Sequence, residues 1–141
     1  MKKQDLTNIL VSLDGSDTSK KGLEKALYFA KLTGASITGV HVVVVYPTLA
    51  ATVTNYRNFL TKKAEKMLNS TKDFCTKQDV KFTFKILHGK PASSIAAFAE
   101  AEKMDLIVIG SRGVGGLRGT ILGSVASTVV QKSKVPVLVV K

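Results

Sequence analysis

Two periods of apolar residues take turns along this chain. Residues 8–13, NILVSL, are a short apolar run that reads as a strand. Asp14-Gly15-Ser16-Asp17 interrupts it, and Ser16 or Asp17 can cap the following helix, whose apolar positions Leu23, Ala26, Leu27 and Ala30 recur at i, i+3, i+4, i+7. Gly34 ends that helix. Residues 36–45, SITGVHVVVV, are nearly continuously apolar, as in a strand covered on both faces, and Pro47 stops them. Residues 49–54 are small and neutral and read as a connecting loop. A long helix is predicted over 55–77, with Leu60, Ala64, Met67, Leu68, Thr71, Phe74 and Cys75 as its apolar stripe. Residues 80–87 alternate apolar and polar, so one face is solvated; that suits an edge strand, which Lys81 and Lys85 also protect. His88-Gly89-Lys90 is a turn, Pro91 opens a helix, and Ile95, Phe98 and Ala99 are its core face. After Asp105, residues 106–110, LIVIG, form a fourth strand. The loop SRGVGGLRGT follows, then a helix with Ile121, Val125 and Val129 on one side and Gly123 and Ser124 near its start; Pro136 opens a last apolar strand.

Strand and helix thus alternate five times, with the last helix missing. That order predicts one α/β domain over 1–141: a doubly wound, five-stranded parallel sheet with right-handed crossovers and helices on both faces. If the third strand is an edge, the strand order is 3-2-1-4-5. Winding then reverses between strands one and four, and ligands of such sheets bind beyond the carboxyl ends at that point. Asp14 and the glycine-rich loop after Gly110 would meet there.

The loop itself is suited to an anion. Glycines let backbone approach a ligand closely, the first N–H groups of the next helix lack partners and lie at its positive end, and Arg112 and Arg118 add charge. It is neither a GxxxxGK[ST] phosphate loop nor a GxGxxG fingerprint, since Arg118 stands where the latter needs its third glycine. The plain alternative is a surface loop whose glycines merely make turns.

Composition adds limits. A 141-residue chain with 45% hydrophobic residues can bury one core, and no run of 18 apolar residues suggests a membrane span. The opening MKKQDLTNIL lacks the apolar stretch and cleavage site of a signal peptide, and Cys75 is alone, so a cytoplasmic protein without membrane partners is expected. Net charge is +11, yet the lysines are scattered, only three basic residues are arginine, and no aromatic residues interleave with them. That distribution describes a solvated surface rather than a nucleic-acid interface.

The residues also resemble a known family. ILVSLDGS, GVHVV, HGKPASSI, DLIVIGSRG, the spaced LGS and the ending VPVLVVK are similar, over essentially the whole chain, to the universal stress proteins. Gly110, Gly113, Gly123 and Ser124 match that family's nucleotide motif G-x2-G-x9-G-[S/T], carried by its ATP-binding subgroup. The resemblance implies a Rossmann-like fold of the adenine nucleotide alpha hydrolase type and ATP as cofactor, with Mg²⁺ or Mn²⁺ as accompanying metal. It implies Asp14 beside the ribose and any metal, and Ser12, where the family often has proline, at a neighbouring contact. Val42 would offer backbone groups to the adenine edge, and Ile109 and Gly110 would line the ribose and phosphates. Arg112 stands where the family has Arg or His. Gly113, Gly123, Ser124 and Val125 would hold the phosphates. It also implies a homodimer joined through the last strand, bounded by Val135 and Val140, whose apolar edge could equally be covered by other elements.

Other chemistry finds little support. His41 and His88 are the only histidines, and His41 reads as a strand residue; no metal spacing, GxSxG elbow or Cys–His pair for Cys75 is present. The third strand ends in Leu87-His88, where a receiver domain needs an acidic phosphoacceptor, and SLDGSDTS lacks the paired glycines of an SGGxDS pyrophosphatase loop. Asp14 and Arg112 could serve a metal and a developing charge, but no second carboxylate or water-positioning group accompanies them, so binding with slow or no turnover is expected. The expected protein is a nucleotide-responsive regulatory or protective module of the stress response. The alternatives are an ATP-cleaving or adenylating enzyme of the same superfamily, and an interaction module without nucleotide.

Overall fold

A computed structural model describes residues 5–44, 50–113 and 122–141. The chain alternates β1 (Asn8–Ser12), α1 (Asp17–Thr33), β2 (Ser36–Val43), α2 (Ala50–Thr76), β3 (Phe82–His88), α3 (Pro91–Ala101), β4 (Leu106–Gly110), α4 (Ser124–Lys132) and β5 (Val137–Val140). All strand pairs are parallel, and the order is β3-β2-β1-β4-β5. The edge position expected for the third strand is therefore observed, and its alternating burial shows why its sequence revealed it.

Residues of opposite parity on each strand face opposite helices. Ile9 and Val11 of β1 join Val108, Ile37 and Phe82 under α1 and α2, with Ala26, Leu27, Ala30, Leu68 and Cys75 packed against them. Leu10 joins Val40, Ile107 and Ile109 under α3 and α4, with Ile95, Ala99, Ala126 and Val129. α1 starts on Ser16, whose side chain accepts a hydrogen bond from the Ser19 N–H, and stops at Gly34 in the left-handed region, φ 79°.

Three sequence expectations need correction. Residues 50–54, expected as loop, belong to α2: its alanines are strong helix formers and no glycine or proline interrupts the run. Phe74, expected in the stripe of α2, is 51% exposed. Ala64, Leu68 and Cys75 mark the line that meets the sheet, whereas Met67, Thr71 and Phe74 run along its rim. β2 ends at Val43, where its last partner on β3, His88, also ends. Pro47, Leu49, Gly115, Arg118 and Ile121 lie outside the described residues. Among the described residues no helix is long and apolar enough to cross a membrane.

Candidate functional site

β1 has β2 on one side and β4 on the other, and the chains leaving β1 and β4 turn to opposite faces of the sheet. Between their carboxyl ends lies a cavity of about 500 Å³. All ten residues expected at a nucleotide site line it: Ser12 and Asp14 from the end of β1, Val42 from β2, Ile109, Gly110, Arg112 and Gly113 from β4 and the loop after it, and Gly123, Ser124 and Val125 from the start of α4. The crevice lies where the winding of the sheet reverses, and the strand lengths explain its membership. β2 runs beyond its last register partner on β1, Val40 opposite Ser12, so Val42 borders the crevice on that side instead of a strand.

On the β1 side, Asp14 serves the turn with one oxygen. Its Oδ1 accepts a hydrogen bond from the Ser16 N–H at 2.9 Å, and Gly15 takes the positive φ of 84° that the turn demands. Forming the turn therefore occupies only one oxygen of Asp14. Oδ2 lies 3.1 Å from where a Cβ on Gly113 would stand, so the carboxylate spans from β1 to the start of the glycine loop. Among the described residues lining the crevice, Asp14 is the one acidic side chain.

On the β4 side the two described ends of the loop meet. The Gly123 N–H donates to the Ser111 carbonyl at 2.7 Å, and the Ser111 N–H donates to the Val140 carbonyl of β5 at 2.8 Å. A Cβ on Gly123 would stand 3.1 Å from that same Ser111 oxygen, so Gly123 is small because the loop closes against it. Gly123 is also the N-cap of α4, and no side chain caps the helix. Ser124 is the first helical residue, exposed at the crevice. The leading N–H groups of α4, which helix geometry leaves without internal partners, carry the positive end of its dipole at the crevice wall.

Several lining residues had escaped the sequence reading. His41, read as a strand residue, is part-buried and lines the crevice; its Nδ1 lies 2.7 Å from the Leu13 carbonyl, which can only accept, so Nδ1 carries the proton. Pro91 and Ile95 reach the crevice from α3, and Ser19 from α1. Side-chain periodicity marked Ile95 as core, which it is, but periodicity does not say that the core opens there. Cys75 and His88 lie elsewhere. Cys75 is fully buried and burial pushes its thiol pKa up to about 11, while His88 Nε2 is 3.2 Å from Thr61 Oγ1.

The crevice suits an adenine nucleotide on three observations: an uncapped helix N-terminus for phosphate, close-packed glycine backbone beside it, and an apolar wall of Val42, Ile95, Ile109 and Val125 for a base. A resident metal fits less well. Among the described residues no three His, Cys, Asp or Glu side chains gather, so Asp14 alone could ligate a cation that arrives with the phosphates.

Comparison with known proteins agrees with this geometry. The sequence model described as the universal stress protein family matches residues 6–141. Universal stress protein YxiE of Bacillus subtilis is 35% identical, over 94% of this chain and 97% of its own length. The structure of universal stress protein UspA from Lactobacillus plantarum superposes with a TM-score of 0.90 at 25% identity, covering 99% of this chain and 100% of that one. A universal stress protein from Archaeoglobus fulgidus, solved in complex with dAMP, has a TM-score of 0.73 at 24% identity and covers 96% and 98% of the two chains. Others of this fold are described with cAMP and with AMP.

Proposed function

This chain belongs to the universal stress protein family, and on that premise we propose that its crevice binds ATP and that occupancy, not turnover, is its function. The observation that carries the proposal is the convergence of β1, β2, β4 and the uncapped start of α4 on one cavity lined by every motif residue. Adenine nucleotides in structural relatives support the ligand class. In this reading Val42 offers backbone groups to the adenine edge, and Ile109 and Gly110 line the ribose and phosphates. Gly113, Ser124 and Val125 meet the phosphates with backbone N–H groups and the Ser124 hydroxyl, while Gly123, whose own N–H is held by the Ser111 carbonyl, borders the phosphate site as small backbone instead of as the donor expected of it. Arg112 adds positive charge, and Asp14 Oδ2 holds the ribose or an Mg²⁺ or Mn²⁺ ion brought by the nucleotide. The triphosphate brings negative charge to Gly113 and the start of α4, and binding that favours one state of the protein makes it a nucleotide-responsive regulatory module.

The second element of the proposal is a homodimer through β5. Among the described residues that strand pairs with β4 alone; it carries no charge along Val137–Val140, and its other edge is offered to a second copy. Val139→Lys is expected to convert the dimer to monomer on sizing; a dimer that survives it unchanged rejects this interface.

The test of the ligand is mass spectrometry of what the purified protein releases on denaturation, with calorimetric titration of ATP in the presence and absence of Mg²⁺. Released or titrated ATP supports the reading. Failure to bind any adenine nucleotide rejects it. Steady metal-dependent turnover that Asp14→Ala abolishes would instead make the protein an enzyme.

A further inference from the structure

We propose that Thr18, on the first turn of α1, is the residue that positions the phosphate-facing loop, so that nucleotide affinity is set partly from α1 and outside the glycine motif. The proposal rests on the nucleotide reading and goes beyond it, because Thr18 belongs to no part of the motif and does not line the crevice.

Thr18 is 3% exposed. Its hydroxyl donates to the Arg112 carbonyl at 2.5 Å, and its oxygen accepts from the Arg112 N–H at 3.3 Å. Those two groups belong to successive peptide planes, one joining Ser111 to Arg112 and the next joining Arg112 to Gly113. One buried hydroxyl therefore holds both planes at the point where β4 becomes loop. Ser16 Oγ reinforces the grip by donating to the same carbonyl at 3.3 Å, while also accepting from the Ser19 N–H at 3.3 Å. The start of α1 and the start of the loop form one network.

The grip has a direction. In a planar trans peptide the C=O and the following N–H point opposite ways. With the Arg112 carbonyl turned to Thr18, the Gly113 N–H is turned away from α1. The Gly113 nitrogen lies 3.8 Å from where a Cβ on Gly123 would stand, beside the N-terminus of α4. Thr18 thus aims a loop N–H toward the same place as the helix N–H groups. Gly110 makes the approach possible: a Cβ there would stand 2.7 Å from the Thr18 carbonyl carbon and 2.8 Å from the Ser19 nitrogen, closer than side chains tolerate. The first glycine of the motif is glycine because α1 packs on it. Its lack of a side chain serves the ligand by admitting Thr18.

The experiment compares wild type, Thr18→Val and Thr18→Ser by titration with ATP and with adenosine. Valine keeps the shape of threonine and removes the hydroxyl; serine keeps the hydroxyl. Thr18→Val is expected to weaken ATP about tenfold, the size of one or two lost hydrogen bonds to the loop. Adenosine, which has no phosphates for the loop to meet, is expected to bind within about twofold of wild type, and Thr18→Ser to restore ATP affinity. A Thr18→Val protein that binds ATP as wild type does, or that loses ATP and adenosine in equal proportion, overturns the proposal. If Thr18→Val does not fold, Thr18→Ala against Thr18→Ser makes the same comparison. Wild type that binds no nucleotide overturns the nucleotide reading itself and this proposal with it, whereas an unaffected variant of a binding wild type overturns this one alone.

Discussion

Asp14 and Asp105 flank the same two strands at opposite ends of the sheet. Asp105 stands at the amino end, just before β4. Its Oδ2 accepts from the Thr7 N–H at 3.0 Å, the Asn8 N–H at 2.9 Å and the Thr7 hydroxyl at 2.9 Å. Desolvation by burial pushes its pKa up, but the hydrogen bonds from Asn8 and Thr7 outweigh it and hold the carboxyl below the usual value. Its own N–H donates to the Asn8 carbonyl at 2.9 Å, so the seam between β1 and β4 is closed there. Asp14 stands at the carboxyl end, where one of its oxygens serves the turn and the other faces Gly113. The residue type and the neighbouring strands are the same. What differs is where the chain goes next. At the amino end the segments enter side by side, and a carboxylate can stitch them. At the carboxyl end they depart to opposite faces, so the seam opens into a crevice and leaves a carboxylate oxygen turned toward it.

This contrast can be broken from either end. The largest effect is expected for Gly113→Val combined with Ser124→Ala, which fills the approach to Asp14 and removes the exposed hydroxyl at α4. ATP affinity should fall about 100-fold, or about 2.7 kcal/mol, by calorimetry, with the thermal midpoint unchanged. Retained affinity would detach the crevice from the ligand. Next is Asp105→Ala, which orphans three donors at the other end. It should lower stability by about 2 kcal/mol in urea denaturation and leave ATP affinity alone. An effect on affinity would show that the two ends are coupled.

Asp14→Asn is expected to be milder. The amide oxygen can still accept from the Ser16 N–H, so stability should hold within about 0.5 kcal/mol, while affinity for ATP with Mg²⁺ falls about tenfold through loss of the charge. Equal loss with and without Mg²⁺ would remove the metal role assigned to Asp14. The smallest effect concerns pH. The folded-state pKa of Asp105 lies below its unfolded value, near 3.9. Its contribution is therefore complete above that value and is lost as pH falls through the lower folded-state value. Partial exposure screens it, so Asp105→Asn should flatten the acid limb of the stability profile by less than about 1 kcal/mol. An unchanged acid limb would mean that the three hydrogen bonds do not depend on the charge.

How much of this was legible beforehand differs from residue to residue. Lys81 and Lys85 alternating with Phe82, Phe84 and Ile86 identified an edge strand because an edge strand with one solvated face must alternate, and from that edge the whole strand order followed. The start of α2 was not legible, because small neutral residues suit loop and helix alike. Phe74 was misread because periodicity reports an angle around a helix and not how wide a strip the sheet covers.

By itself the sequence determined the parallel five-stranded order, the turn at Asp14-Gly15 and the glycine spacing, since each depends on local propensity or on connection rules that the chain carries along its length. Only the tertiary structure decided why those glycines are small and which hydroxyl grips the loop. Gly110 and Thr18 are 92 residues apart in sequence and in contact in space, and contact between distant segments is set by packing, which no local pattern of apolar and polar residues encodes.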